Sequence, residues 1–486
     1  MIRELHEQIQ SGEKKAVAVT REYLATTQKR DQDMHAYLTL REEQALVEAE
    51  AVDAAVARGD AIDLLAGIPG AIKDNMLMTG ERVTAASKLL DNYIGTYDAT
   101  AVAKLHSVQA VILGRTNLDE FAMGASTENS SYGPTHHPLD VTRVPGGSSG
   151  GSAVAVAADM SVWALGSDTG GSIRQPAAFC GIYGLKPTYG RVSRSGLIAM
   201  ASSLDQIGPF GRTVEDVAIV LSRIAGIDPL DSTTSSRPVP RYEDLLTGDV
   251  KGKKIGVPDE YFTDALDVKV REVAEAALDA FRTLGAEIVP MSLPHSRFAL
   301  PVYYIIQPCE TSSNLARFDG IRYGLSVNDQ ADSLAKTSTL LETYLDTRKV
   351  GFGPEVKRRI MLGTYALSSG YYDAYYKKAL AVRAILRQDF QKAFETVDVI
   401  FSPTTPETAF PLGSKTNDPL KMYFSDIYTV TANLVGVPAI SFPMGTITEN
   451  GVPLPIGGQF MGRWFEEETI LNVTHAFERS GTRTAL

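Results

Sequence analysis

Two loops rich in glycine and serine flank a short apolar segment in the first half of the chain. Residues 146–152 form the first loop, residues 166–172 form the second, and an apolar run at 153–158 lies between them. Glycine allows the backbone to approach a ligand closely and to take conformations that other residues avoid. Serine hydroxyls among clustered backbone N–H groups suit acyl transfer, which needs a nucleophile and donors aimed at a developing oxyanion. The sequence therefore predicts that residues 146–176 carry the chemistry.

Three other interpretations of these loops lead to different functions. Glycine and serine runs are common in flexible linkers, but an apolar segment between two such runs is typical of a core. A phosphate-binding loop of the G-x-x-x-x-G-K-[S/T] type requires a lysine that both loops lack. The pattern G-x-S-x-G at 146–150 matches the nucleophile elbow of α/β-hydrolases, which needs a downstream histidine. His295 and His475 are the histidines that follow, and neither has a catalytic sequence context.

Lys73 is the candidate base if histidine is not used. It follows an apolar stretch with turn residues on both sides, in Gly67-Ile-Pro-Gly-Ala-Ile-Lys-Asp-Asn75. A buried lysine loses its charge readily, and its pKa falls to about 5–6 in extreme cases. The alternative is an ordinary lysine at a strand end, with its ammonium group in water.

Lys73, Ser148 and Ser172, in their local motifs, resemble the amidase signature family. Their spacings of 75 and 24 residues, from the differences 148−73 and 172−148, are also similar to those of that family. The resemblance implies Ser172 as the acyl-forming nucleophile, Ser148 on a cis peptide as a proton bridge, and Lys73 as a neutral base. It also implies an oxyanion hole made by the backbone of Thr169, Gly170 and Gly171.

Beyond these motifs, the resemblance extends along nearly the whole chain to the glutamine-hydrolysing subunits of tRNA-dependent amidotransferases. It rests on residues 193–198, 202–209, 314–324 and 357–376. It implies that Arg359 holds the α-carboxylate of glutamine and that Asp426 holds the α-ammonium, because a guanidinium suits a carboxylate. Tyr303 and Gly124 are expected to line the same pocket.

The resemblance also implies partners. Glutamine would be the substrate, and the released ammonia would serve a partner subunit that amidates Glu-tRNA(Gln), Asp-tRNA(Asn) or both. The expected assembly is a heterotrimer with B and C subunits, in which tRNA binds mainly through the partner. ATP and Mg are expected to be used by that partner, with no cofactor and no metal in this chain. A stand-alone amidase acting on another small amide, and an inactive scaffold subunit, are the alternatives.

Composition limits the classes of protein that fit. The chain has 486 residues, 44% of them hydrophobic, which is typical of a globular protein. Its net charge of −11 argues against a broad nucleic-acid-binding face. Two cysteines, Cys180 and Cys309, suit a reducing compartment. We expect a cytoplasmic protein without a membrane span, because no secretory signal or long apolar run is present.

The elements that must position these residues follow an α/β pattern. Strands and helices alternate over residues 64–211, which favours a sheet covered by helices. The family resemblance implies a mixed central β-sheet with helices on both faces. We assign residues 1–486 to a single domain, with a helical part at 1–60 and a largely helical insertion at 303–394 that is interrupted at 326–336.

Two departures from the family pattern stand out, Asp159 in place of glycine and the pair His136-His137 before Pro138. The histidine pair has no third ligand nearby in the sequence, so a surface loop is favoured over a metal site. Neither departure touches Lys73, Ser148 or Ser172, and we expect both to affect local packing only.

Overall fold

Twelve strands pair into one mixed sheet in the computed structural model, which describes residues 1–264, 266–329 and 339–486. The strands are β1 (Tyr37–Leu40), β2 (Pro69–Lys73), β3 (Val111–Thr116), β4 (Trp163–Asp168), β5 (Tyr183–Lys186), β6 (Gln206–Gly211), β7 (Lys254–Pro258), β8 (Glu287–Met291), β9 (Val399–Pro403), β10 (Ala439–Glu449), β11 (Val452–Gly462) and β12 (Thr484–Ala485). Their order across the sheet is β1-β3-β2-β4-β6-β5-β10-β11-β9-β7-β8, and β12 pairs with β10. The expected mixed α/β fold is confirmed.

Fifteen α-helices accompany the sheet in the described part of the chain. They are α1 (Ile2–Gln10), α2 (Ala16–Met34), α3 (Glu42–Ala57), α4 (Thr100–Ser107), α5 (Gly150–Ala157), α6 (Arg174–Cys180), α7 (Val214–Ile224), α8 (Val268–Thr283), α9 (Ala299–Asn314), α10 (Leu340–Gly351), α11 (Pro354–Leu367), α12 (Lys378–Ala393), α13 (Pro419–Tyr423), α14 (Val430–Val435) and α15 (Glu467–Ser480). Every residue of β2, β3 and β4 is buried, which requires cover on both faces of the sheet.

The parallel pairing of β2 with β4 creates the site. Ile72 lies opposite Leu165 in this pairing, so Lys73 and the last residues of β4 lie at the same edge of the sheet. Helix α5 begins at Gly150, within the first loop rich in glycine and serine. Both loops therefore meet at the carboxyl ends of central strands, where open α/β sheets usually bind ligands.

The two helical regions expected from the sequence contain the helices and some additional elements. Within residues 1–60, strand β1 separates α2 from α3 and extends the sheet by pairing antiparallel with β3. Within residues 303–394, most of α9 is followed by α10, α11 and α12. The predicted interruption at 326–336 lies outside the described residues from 330 onward. The assignment of the chain to one domain stays a prediction, supported by a sheet that joins strands from the first and last parts of the chain.

Candidate active site

Lys73 lies at the centre of a group of hydroxyls. Its Nζ is 2.8 Å from Ser148 Oγ, 2.8 Å from Ser149 Oγ and 2.9 Å from Ser167 Oγ. Asn75 holds the last of these hydroxyls by donating from its side-chain amide at 2.9 Å. The lysine side chain is fully buried. Lys73 is therefore in direct contact with the first glycine- and serine-rich loop.

Burial lowers the pKa of Lys73 from 10.5 to about 7. Removal of the ammonium from water is the main cause, while the negative charges of Asp119, Asp168 and Asp205 oppose the shift. A lysine with this pKa is neutral in a large fraction of molecules at neutral pH. Its amine can then accept a proton from Ser148, which an ammonium cannot do.

Ser148 is placed by a tightly packed loop. The peptide bond between Gly147 and Ser148 is cis. The N–H of Gly147 donates to the side-chain oxygen of Gln175 at 2.8 Å. A Cβ atom at position 147 would lie 2.3 Å from Oδ2 of Asp119, so a side chain there would displace the Asp119 carboxylate. Close packing around the serine therefore requires glycine at position 147.

Ser172 is the most accessible of the three predicted catalytic residues, with 8% of its surface exposed. Its backbone carbonyl accepts a hydrogen bond from the N–H of Ser149 at 3.2 Å, which ties the second loop to the first. Its hydroxyl has no hydrogen-bond partner among the described residues. Lys73 and Ser148 are therefore in direct contact, and Ser172 is joined to them through the backbone, with its hydroxyl available to a substrate.

Asp168 organises the backbone around Ser172. Its carboxylate accepts from the N–H of Gly171 at 2.9 Å and from the N–H of Ile173 at 3.2 Å. The buried Arg174 side chain pairs with the same carboxylate at 3.1 Å. Gly171 was among the predicted oxyanion donors, but its N–H is directed to Asp168. The amides of Thr169, Gly170 and Ser172 have no acceptor among the described residues, so these amides are the ones available to an oxyanion.

Arg359 and Asp426 are both buried, at 3% and 9% exposure, although 67 residues separate them in the chain (426−359). Arg359 donates from Nε to Glu355 at 2.8 Å and from Nη1 to Gln307 at 3.1 Å. Asp426 accepts a hydrogen bond from the hydroxyl of Tyr304 at 2.9 Å. Burial raises the pKa of Asp426 to about 7, against the opposing effects of the Tyr304 hydrogen bond and the Arg359 charge.

A cavity of about 230 Å³ lies beside Arg359, and neither Asp426 nor Tyr303 is among its lining residues. Arg359 and Gly124, two of the predicted substrate-binding residues, line it. The predicted pocket residue Tyr303 lies against the oxyanion loop, since a Cβ at Gly170 would be 2.6 Å from its hydroxyl. The cavity is lined by Gly124, Ser126, Glu128, Asn129, Pro354, Glu355, Arg358, Arg359, Lys415, Thr416, Pro419, Met422 and Tyr423.

Several residues of this site did not stand out in the sequence. Ser149 and Ser167 contact Lys73, and their places in the two loops were the available signal. Glu355, Tyr304 and Tyr423 surround Arg359 and Asp426, yet they occur in helical segments with no motif. Only the folded chain reveals these contacts.

The two departures from the family pattern have physical explanations. Asp159 has a φ of +58°, a left-handed conformation that favours glycine and that aspartate tolerates well. Its carboxylate pairs with Arg212 at 2.6 Å. The expected surface loop is wrong for His137, which is fully buried and lies 2.8 Å from the carbonyl of Phe179. His136 contacts the carbonyl of Val141 instead.

The described residues contain neither a candidate metal centre nor a candidate membrane span. Within residues 1–264, 266–329 and 339–486, no group of three or more histidine, cysteine, aspartate or glutamate side chains could hold a metal ion. No helix in the same residues is long and apolar enough to cross a bilayer.

The fold and the groups gathered at the ends of its central strands define an amidase, and comparison with known proteins agrees. The family model described as Amidase matches residues 18–471. The chain belongs to the amidase signature family.

Relatives within the family are similar over almost their whole length. The A subunit of the glutamyl-tRNA(Gln) amidotransferase of Microcystis aeruginosa is 54% identical over 479 residues, covering 99% of this chain and 97% of the relative. The corresponding A subunit of Carboxydothermus hydrogenoformans is 54% identical over 478 residues, covering 98% and 96%.

Solved structures show the same fold. The crystal structure of the A subunit of the glutamyl-tRNA(Gln) amidotransferase from Thermotoga maritima has a TM-score of 0.78 at 41% identity, covering 96% of this chain and 91% of that chain. A peptide amidase from Stenotrophomonas maltophilia has a TM-score of 0.82 at 29% identity, covering 99% and 97%. The fold therefore occurs both in amidotransferase subunits and in an amidase of another name.

Proposed function

We propose that this chain is the glutamine-hydrolysing subunit of a tRNA-dependent amidotransferase. The observation that carries the proposal is the buried Arg359 guanidinium, which lines the same cavity as Gly124 and lies in one network with Asp426. A guanidinium and a carboxylate match the two charges on the α-carbon of a free amino acid. The names of the relatives at 54% identity also favour this function over a stand-alone amidase.

The reaction would begin with attack of Ser172 Oγ on the side-chain carbonyl carbon of glutamine. The Ser172 proton passes to Ser148 Oγ as the Ser148 proton passes to the neutral Lys73 amine. The contact of 2.8 Å between Lys73 Nζ and Ser148 Oγ supports this route, as does the lowered pKa of Lys73. The negative oxygen of the tetrahedral intermediate would accept hydrogen bonds from amides of the loop 169–172.

Collapse of the intermediate would release ammonia. The carbon–nitrogen bond breaks while the proton returns through Ser148 to the leaving nitrogen, and a γ-glutamyl ester remains on Ser172. Water then attacks this ester with the same proton relay and yields glutamate. Acylation and deacylation each move one proton to Lys73 and one proton back from it, the second return going to Ser172 Oγ, so Lys73 ends the cycle neutral, as it began.

The ammonia would be consumed by a partner subunit in an assembly with B and C subunits. That partner would bind ATP and Mg, activate the misacylated tRNA and make most of the tRNA contacts, since this chain carries a net charge of −11 and lacks a phosphate-binding loop at 146–172. The assembly would be cytoplasmic. The amidated tRNA would be Glu-tRNA(Gln), Asp-tRNA(Asn) or both.

The proposal is tested with the Ser172→Ala variant in the assembled complex. Glutamine-dependent amidation of tRNA should be lost, whereas amidation supplied with ammonium salt should continue, because free ammonia bypasses the acyl-enzyme. Ser107→Ala, at an exposed helical position, is the matched control and should keep both activities. Hydrolysis of a neutral small amide but not of glutamine by the wild-type chain would favour the stand-alone amidase.

A further inference from the structure

A stacked pair of tyrosines joins Arg359 to Asp426. The rings of Tyr304 and Tyr423 are nearly parallel, with centroids 4.0 Å apart and an interplanar angle of 20°. The Arg359 guanidinium carbon lies 5.5 Å from the Tyr304 ring centre and 5.4 Å from that of Tyr423. A cation at this distance from an aromatic ring is attracted to it.

Each tyrosine hydroxyl reaches a different carboxylate. Tyr304 donates to Oδ2 of Asp426 at 2.9 Å. Tyr423 donates to Oε1 of Glu355 at 2.8 Å, and the same oxygen accepts from Nε of Arg359 at 2.8 Å. A continuous path therefore runs from Arg359 through Glu355, Tyr423 and Tyr304 to Asp426.

The hydrogen bonds along this path restrict which nitrogens of the Arg359 guanidinium can bind a ligand. Nε and Nη1 are occupied by Glu355 and Gln307, while Nη2 has no hydrogen-bond partner among the described residues. Glu355, Arg359 and Tyr423 all line the cavity of about 230 Å³. Because Nη2 is the guanidinium nitrogen without a protein partner among the described residues, the orientation of the guanidinium decides where a substrate carboxylate can bind.

Burial keeps the tyrosine hydroxyls in their donating form. It is the main cause that raises the pKa of Tyr304 well above the ordinary value, with the Asp426 charge adding to the effect. The pKa of Tyr423 is raised mainly by burial as well. Both phenols thus remain protonated over the whole pH range in which the enzyme would work.

We propose that Tyr304 and Tyr423 are positioning residues that fix the separation of Arg359 and Asp426 and thereby select free α-amino acid amides over other amides. This inference rests on the proposed function. Tyr304 acts on the end of the substrate that carries the ammonium, and Tyr423 acts through Glu355 on the end that carries the carboxylate. Neither residue takes part in the proton relay at Lys73.

The variants Tyr304→Phe and Tyr423→Phe test recognition of the ammonium and of the carboxylate of the substrate separately. Each variant keeps the stacked rings and removes one hydroxyl. The test substrates are glutamine, 4-aminobutanamide without the α-carboxylate, 5-amino-5-oxopentanoate without the α-ammonium, and butanamide without either charge. An amide that turns over too slowly is measured as a competitive inhibitor of glutamine hydrolysis. Tyr365→Phe on the exposed side of α11 is the matched control.

Tyr304→Phe should raise the KM for glutamine by about tenfold or more, the effect of losing a hydrogen bond to a charged group, with little change in kcat. The same variant should weaken the binding of 4-aminobutanamide by a similar factor and leave the binding of 5-amino-5-oxopentanoate unchanged. Tyr423→Phe should weaken the binding of 5-amino-5-oxopentanoate and leave the binding of 4-aminobutanamide unchanged. Butanamide should be unchanged in both variants.

If both variants bound all four amides more weakly by the same factor, the tyrosines would support the fold only. If the KM for glutamine were unchanged, the tyrosines would not position Arg359 or Asp426. Either result would overturn the inference, and thermal unfolding of each variant separates loss of folding from the first case. Failure of the proposed function is distinguishable, because the wild-type enzyme would then prefer butanamide to glutamine.

Discussion

At the scale of single residues, burial has moved the pKa values of several groups toward neutrality. It lowers the pKa of Lys73 to about 7 and raises that of Asp426 to about 7. The Lys73 amine therefore loses its charge, and the Asp426 carboxyl gains its charge, over the same range of pH. Glu120 is another such group, with a pKa raised to about 7, and its carboxylate contacts the residue before helix α11.

The pH profile of hydrolysis should report Lys73. A base must be neutral, and a lysine is neutral above its pKa, so kcat/KM for butanamide should rise as pH increases through about 7 and then level off. Lys73→Ala should reduce acylation by about 10²–10⁴-fold, the range typical of general-base loss. A rate that rises only near the ordinary lysine pKa of about 10.4 would contradict a desolvated base.

The proposed binding of glutamine by Arg359 and Asp426 makes a separate prediction for KM. Asp426→Ala and Arg359→Ala should each raise the KM for glutamine strongly. Each substitution removes the partner of one charge of the bound glutamine, and breaking such a buried charge pair costs about 2–5 kcal/mol. Reaction of Ser172 with a neutral acylating probe should survive in both variants. With wild-type enzyme, KM for glutamine should fall as pH rises through about 7, since Asp426 is charged above its pKa. Unchanged KM values in the two variants would assign these residues no part in binding.

At the scale of elements, residues 119–120 link the first glycine- and serine-rich loop to helix α11, which carries Arg359. The carboxylate of Glu120 accepts from the N–H of Gly353 at 2.8 Å, directly before α11 begins, and it contacts Ser87 through its other oxygen. A Cβ at Gly353 would lie 2.3 Å from Oε2 of Glu120, so this approach requires glycine. The N–H of the preceding residue, Asp119, donates to the backbone carbonyl of Ser148 at 3.2 Å, so residues 119–120 join the beginning of α11 to the first glycine- and serine-rich loop.

Glu120→Gln tests this link through stability. Because burial raises the Glu120 pKa to about 7, the folded chain retains a proton that the unfolded chain has lost above its own pKa of about 4.5. The contribution of Glu120 to stability is therefore complete below that unfolded value and is lost as pH rises through about 7. The glutamine side chain introduced at position 120 is neutral at every pH. The Tm of the variant relative to wild type should therefore increase from about pH 5 to about pH 8. A constant Tm difference would exclude this titration.

Sequence motifs predicted the local parts of the site but not the contacts made by distant segments. Lys73, Ser148 and Ser172 lie in glycine-rich motifs with a characteristic spacing, and two of the three are in direct contact. The Tyr304–Tyr423 stack brings together segments 119 residues apart (423−304), and ordinary helical sequence gives no sign of it. The sequence of β11 gives no sign of a strand, because proline and glycine, which recur in 452–462, are depleted in ordinary strands. Burial of the hairpin of β10 and β11 in the middle of the sheet overrides that preference.

At the scale of the whole molecule, one sheet spans both the catalytic strands and the later strands of the chain. Strand β10 pairs with β5 on one side and with β11 on the other, so the segment containing Asp426 is fixed relative to the segment containing Ser172. The buried contact of Arg174 with the side chain of Asn433 at 2.7 Å strengthens this connection. The position of Asp426 relative to Ser172 is therefore a property of the complete fold.

The net charge of −11 predicts how the isolated chain behaves toward nucleic acid. Binding to tRNA gains most of its affinity from neutralised phosphates, which an acidic surface does not supply. The isolated chain should show no saturable tRNA binding at physiological salt by fluorescence anisotropy, while the assembled complex should bind. Tight, salt-dependent binding by the isolated chain would show that this chain contributes directly to tRNA recognition.

The central claim is that Ser172 carries the glutamyl group of glutamine, and intact-protein mass spectrometry after rapid acid quenching tests it most directly. Wild-type enzyme mixed with glutamine should gain the mass of one γ-glutamyl group, and peptide mapping should place it on Ser172. Ser172→Ala should gain no mass, and Lys73→Ala should gain it far more slowly. A γ-glutamyl group on another residue, or glutamine hydrolysis by Ser172→Ala at the wild-type rate, would contradict this claim.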